Sequence, residues 1–156
     1  MDTWDARGPG GRAEQRLERI VPRHCPLPTP APFALVLDPS YLAARIARRT
    51  LGRWLLELSC PTQFVEDVKL IVDELVTNVV VHARTPVRVL ASVDDGRLRH
   101  EVHDGSPAPP VVDPHPGTSG FGLRLVGVLA DDWGWEPVPG GKYVWTELRF
   151  ADPAGG

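Results

Sequence analysis

The stretch IVDELVTNVVVHA, residues 71–83, decides the fold. It is apolar enough for a buried helix, yet Glu74, Asn78 and His82 recur in it at intervals of four. On an α-helix each interval advances by only about 40°, so the three polar side chains form a narrow stripe beside an apolar face. An isolated Glu/Asn pair is most often a solvated helix edge. Here Val79, Val80 and Val81 crowd the same turn, and buried polar groups need partners. A ligand would supply them. A carboxylate can act as a general base, and an Asn oxygen is a hard neutral ligand suited to Mg²⁺ beside phosphates.

Upstream, Val65, Val68, Val72, Leu75, Val76 and Val79 extend the apolar face and predict a helix over 62–83. SCPTQ separates it from another helix, expected over 39–57 after an Asp-Pro start, with Leu42, Ile46, Arg49 and Arg53 at helical spacing. FALVL (33–37) reads as a strand. Before it, residues 1–32 mix Gly, Arg and Glu with a proline series and read as a flexible arm. Downstream, VRVLASV and LRHEVHD flank a DDG turn, which is a hairpin signal.

Residues 104–119, DGSPAPPVVDPHPGTS, hold five prolines and two glycines and form a loop long enough for a lid or binding segment. GFGLRLVGVLAD (120–131) returns to helical spacing, and DWGWEPV with KYVWTELRF reads as a closing hairpin around Pro-Gly-Gly at 139–141. Strands and helices do not alternate singly. The order therefore predicts an α/β two-layer sandwich, a mixed sheet with helices on one face. The domain is expected over 33–150, with residues 151–156 as a tail.

Composition narrows the function. The 156 residues suit one domain, and a net charge of −3 with interspersed signs offers no broad basic face for nucleic acid. Cys25 and Cys60 form neither a metal-binding pair nor a disulfide framework, and no apolar run reaches the roughly 20 residues that span a bilayer. No export signal is visible at the start, so a cytoplasmic setting is expected. Four of the five tryptophans fall in predicted elements, where packing is the simpler reading.

Two further clusters accompany the stripe. Asp104 ends a strand in HDGSP, and Gly-Phe-Gly opens a helix in GTSGFGLRLV, where backbone amides and the helix dipole favour an anion. Neither the dinucleotide fingerprint nor a GxxxxGK[ST] loop occurs.

Taken in order, DELVTNVVVHA, VHDGSP, GTSGFGLRLVGVLADDWG and PGGKYVWTEL resemble the histidine-kinase-like ATPase superfamily, whose ATP-binding domain is called the Bergerat fold. The similarity is greatest to its small anti-sigma-factor serine/threonine-protein kinase branch. That resemblance covers about residues 33–150 and implies an α/β sandwich binding ATP and Mg²⁺. It implies Glu74 as the catalytic carboxylate, Asn78 as the Mg²⁺ ligand and Asp104 as the acceptor for the adenine amino group. Gly120 and Gly122, with the amides of Phe121 and Leu123, would meet the phosphates. His82 falls where the motif often ends in His-Ala and is expected to pack or hydrogen-bond at the helix end.

Two positions depart from the family. Ser106 replaces an expected glycine and would reshape the adenine pocket's floor, while Lys142 replaces a threonine whose hydroxyl would support the Asp104 contact. The implied partners are an anti-sigma antagonist protein, phosphorylated on Ser or Thr, and a sigma factor, with room for a homodimer. The alternatives are a nucleotide-dependent binding switch, in which ATP orders the 104–119 loop, and a detached histidine-kinase ATPase module.

Overall fold

The computed structural model describes residues 29–110 and 122–150. Most of the expected arm and of the lid, and the tail, thus lie outside the described residues, as do Trp4, Cys25, Gly120 and Phe121. The elements run in the order β1 (Phe33–Leu37), α1 (Ala43–Glu57), α2 (Thr62–Asn78), a π-helical turn (Val79–Ala83), β2 (Val87–Asp94), β3 (Arg97–Asp104), α3 (Gly122–Leu129), β4 (Asp132–Val138) and β5 (Gly141–Arg149).

Helices cover one face of a five-stranded sheet of order β1-β2-β3-β5-β4, which is the expected two-layer α/β sandwich. The expectation of a mixed sheet is corrected: all four strand pairings are antiparallel. β3 and β4 do run in the same direction, because each is antiparallel to β5. β5 inserts between them and removes the parallel contact.

Alternation sorts the strand residues. Val87, Val89, Ala91 and Val93 of β2 and Leu98, His100 and Val102 of β3 turn inward, while Arg99, Glu101 and His103 lie on the uncovered face. Against the inward set pack Ala47, Leu51 and Leu55 of α1 and Val65, Val68, Ile71, Val72, Leu75 and Val76 of α2. Each large apolar side chain fully buried here contributes about 1.5–3 kcal/mol. On the uncovered face Arg99 bridges Glu101 and Glu147 and lies over the Trp145 ring, and His103 stacks on Tyr143. Trp54 and Trp133 pack partly buried against the core, whereas Trp135 is exposed.

Helix α1 starts four residues later than residue 39, because the Ser40 carbonyl and hydroxyl accept the Ala43 and Leu42 amides in a preceding turn. It closes with Ser59 in the left-handed region, the amides of Ser59 and Cys60 returning to Leu56 and Leu55. Helix α3 ends at Leu129, two residues before the expected end at 131. The long helix expected over 62–83 stays α-helical only to Asn78. Beyond it Arg84, left-handed at φ 55°, returns its amide to the Val79 carbonyl at 2.8 Å. The wider turn re-aims the chain where the polar stripe ends.

Candidate functional site

A cavity of about 250 Å³ opens between the end of α2 and the adjoining ends of β3 and β5. Leu75, Val79, Val102 and Val144 make its apolar walls, and Asn78, Asp104, Ser106 and Lys142 bring polar atoms to it. Such a sparse polar set in an apolar cleft is the usual character of a small-molecule site. Five positions singled out in the sequence, Asn78, His82, Asp104, Ser106 and Lys142, are thus assembled in one place from three segments distant in sequence.

Each is held by local geometry. Asn78 is the last α-helical residue of α2, and its Nδ2 is buried without a partner among the described residues. The two ends of the amide are nearly the same size. With the group turned over, the carbonyl oxygen takes the orphaned place and becomes an unclaimed hard ligand. His82, displaced by the π-helical turn, is exposed at the cavity rim.

Asp104 ends β3, and its Oδ1 accepts the Ser106 amide at 2.7 Å, which closes a turn around Gly105. Thr85, just after the π-helical turn, accepts the Gly105 amide through its hydroxyl at 2.8 Å. The end of α2 is thereby tied to the Asp104 turn, a link the sequence reading missed.

Glycine is needed at the start of β5. A Cβ on Gly141 would lie 1.9 Å from the Asp104 carbonyl oxygen, so only glycine lets β5 pass so close. In the next register position Lys142 faces Asp104. Its Nζ lies 3.1 Å from Oδ1 and 3.0 Å from Oδ2, and it donates to the Ser106 carbonyl at 3.2 Å. The two side chains are only 7% and 4% exposed, so Asp104 meets the cavity as part of an ion pair rather than as a lone carboxylate.

Glu74 lies one turn before Asn78, outside the cavity walls, and reaches toward α3. Its Oε2 accepts the Gly122 amide at 3.3 Å. Gly122 opens α3 at φ +51°, a conformation that favours glycine. Burial pushes the Glu74 carboxyl above its ordinary range, the Gly122 hydrogen bond opposes this, and the charge of Asp73 adds to it. A carboxylate tuned upward suits a proton acceptor near neutral pH. Leu123 is buried in the first turn of α3.

Mg²⁺ fits this arrangement in one way. Among the described residues no cluster of three or more His, Cys, Asp or Glu forms a protein cage. Mg²⁺ needs none, since it retains water and commonly takes one or two protein oxygens plus ligand phosphates. The unclaimed amide of Asn78, one turn from Glu74, matches that demand.

Comparison with a solved structure of two Mycobacterium tuberculosis domains gives the same architecture. The RsbU and RsbW domains of Rv1364c from Mycobacterium tuberculosis align with a TM-score of 0.64 at 24% identity, over 80% of this chain and 34% of that one. The chain therefore spans about a third of that structure's length. The histidine kinase domain of a blue-light-activated histidine kinase from Erythrobacter litoralis aligns with a TM-score of 0.46 at 24% identity, over 58% of this chain and 46% of that one. None of the curated proteins matches the chain. A family model described as the histidine kinase-like ATPase domain matches residues 35–148, most of the chain. The chain belongs to the histidine kinase-like ATPase domain family.

Proposed function

We propose that the protein is an ATP-dependent serine/threonine-protein kinase of the anti-sigma-factor type, which phosphorylates a small antagonist protein. One observation carries the reading. Glu74 and Asn78 stand one turn apart, between the amide end of α3 and a cavity with Asp104 at its far wall. A nucleotide whose base meets Asp104 would direct its phosphates toward Asn78 and the Gly122 amide. Mg²⁺ bound there would neutralise phosphate charge. Asn78 would hold the ion, and Glu74 would accept the proton of the incoming Ser or Thr hydroxyl, with positioning and charge neutralisation supplying most of the rate. The family match and the likeness to a structure containing an RsbW domain support the class. Partners, in this reading, are an antagonist protein and a sigma factor.

The Glu74–Gly122 hydrogen bond favours a second reading, a nucleotide-dependent binding switch. The carboxylate holds the same amide that phosphates would contact, so nucleotide entry must displace it and couple binding to the position of α3.

Incubation of the purified chain with γ-labelled Mg²⁺-ATP and candidate antagonist proteins tests both. Label transferred to a Ser or Thr of the partner supports the kinase. ATP-dependent partner binding without transfer supports the switch, and no ATP binding at millimolar concentration refutes both.

A further inference from the structure

The roles assigned to Glu74, Asn78 and Asp104 leave Lys142 without one, although it is among the most buried charged side chains described. It lines the cavity, and its ammonium has two acceptor groups, the Asp104 carboxylate and the Ser106 carbonyl. An ammonium carries three donors; with one N–H shared between the two Asp104 oxygens and one on the Ser106 carbonyl, the third is left for a ligand. Asp104 is asymmetric in the complementary sense. Its Oδ1 takes both the Ser106 amide and Lys142, whereas Oδ2 has only Lys142 as a partner among the described residues and so has a lone pair to offer a ligand. A molecule entering the cavity thus meets an acceptor and a donor side by side, 3.0 Å apart.

The edge that satisfies this pair must offer a donor next to an acceptor. Adenine does so with its N6 amino group and N1. Guanine presents the reverse order, setting its O6 carbonyl against the carboxylate and its N1–H against the ammonium. Both mismatches leave buried polar groups unsatisfied, which is where strong discrimination arises.

We propose that Lys142 is a second base-reading residue, donating directly to N1 of adenine while Asp104 accepts from the N6 amino group. The inference rests on the nucleotide reading above and deepens it. The ion pair would then be a two-point reader of the base, with a direct, charge-assisted contact to N1.

The test compares Mg²⁺-ATP with Mg²⁺-1-deaza-ATP, which keeps the amino group and replaces N1 by C–H. Calorimetric titration of the wild-type chain should show 1-deaza-ATP binding at least about tenfold more weakly, the range for a hydrogen bond to a charged group. Lys142→Met keeps the length of the stem and removes the donor, so the ratio should shrink to about twofold or less. A Lys142 that merely holds Asp104 in place would weaken both ligands alike, and an unchanged ratio in Lys142→Met overturns the proposal. Equal binding of the two nucleotides by the wild type overturns it without any variant. If Lys142→Met fails to fold around the stranded carboxylate, Lys142→Met with Asp104→Asn removes both charges and carries the same comparison. Absence of ATP binding by the wild type refutes the nucleotide reading itself, whereas ATP binding with no N1 dependence refutes only the role of Lys142.

Discussion

Acid should loosen the strand pair that carries the cavity wall. Three successive inward pairs join β3 to β5: His100 with Thr146, Val102 with Val144, and Asp104 with Lys142. His100 is wholly buried, its Nδ1 lies 2.7 Å from Thr146 Oγ1, and Nε2 has no partner among the described residues. Burial pushes the ring from its ordinary value of 6.5 down to about 4, with the Glu101 carboxylate opposing weakly. Between those values the unfolded chain binds a proton that the folded ring refuses. Stability is therefore fully present above pH 6.5 and falls as the pH drops toward 4. One unit corresponds to about 1.4 kcal/mol, so the complete loss is roughly 3 kcal/mol and the loss between pH 7 and pH 5 about 2 kcal/mol. That is a large share of a typical domain stability of about 5–15 kcal/mol. Urea unfolding at both pH values, for the wild type and His100→Asn, measures it. The Asn amide can keep a hydrogen bond to Thr146 and does not titrate. The variant should be less stable at pH 7, because ring volume is lost, but its decline from pH 7 to pH 5 should be smaller by about 2 kcal/mol. Equal declines would refute the assignment of acid sensitivity to this ring.

The remaining predictions concern the site directly. Glu74→Gln preserves size and hydrogen bonding but removes the basic oxygen, so ATP should still bind while transfer to a partner falls by about 10²-fold or more, measured by single-turnover labelling. Transfer at the parent rate would leave the switch as the better reading. Asn78→Ala deletes the proposed ion ligand, so ATP affinity should lose its Mg²⁺ dependence and transfer should fall with it, as titration with and without Mg²⁺ would show. Gly141→Ala places a methyl group against the Asp104 carbonyl and should cost about 1–3 kcal/mol in urea unfolding while weakening ATP binding. Unchanged stability there would mean that β5 can move away from β3 at little cost.

The fold was legible wherever one physical pattern dominates. Alternation in β2 and β3 marks their inward residues, the apolar face of α2 marks the core helix, and the Asp95-Gly96 turn, with both residues at positive φ, fixes the first hairpin. Beyond the two hairpins, strand direction was not legible, because alternation reads the same along either direction. Direction follows from the connections. Two helices between β1 and β2 return the chain so that these strands run antiparallel, and insertion of β5 between β3 and β4 makes every pairing antiparallel. The π-helical turn was invisible for a related reason. VVVHA keeps helical spacing, and only Arg84 in a left-handed conformation, at a residue without strong preference for it, marks the wider turn.

The site was legible residue by residue but not as a set of pairs. The stripe on α2 pointed to Glu74 and Asn78, and the turn after β3 pointed to Asp104. Lys142 was noticed as the wrong residue in a family pattern, and its partner was not foreseen. A signal was nevertheless present. His100 and Asp104 are two inward polar positions four apart on β3, and Lys142 and Thr146 are two more, four apart on β5. Laid antiparallel, the two spacings coincide in a single register that matches acid with base and imidazole with hydroxyl, with Val102 opposite Val144 between them. Any odd slip would turn one strand's polar groups to the uncovered face, and a slip of two would leave the buried Asp104 opposite no cation. The cost of unpaired buried polar groups therefore selects the register that builds the cavity wall, and the same constraint makes Lys142 part of the site.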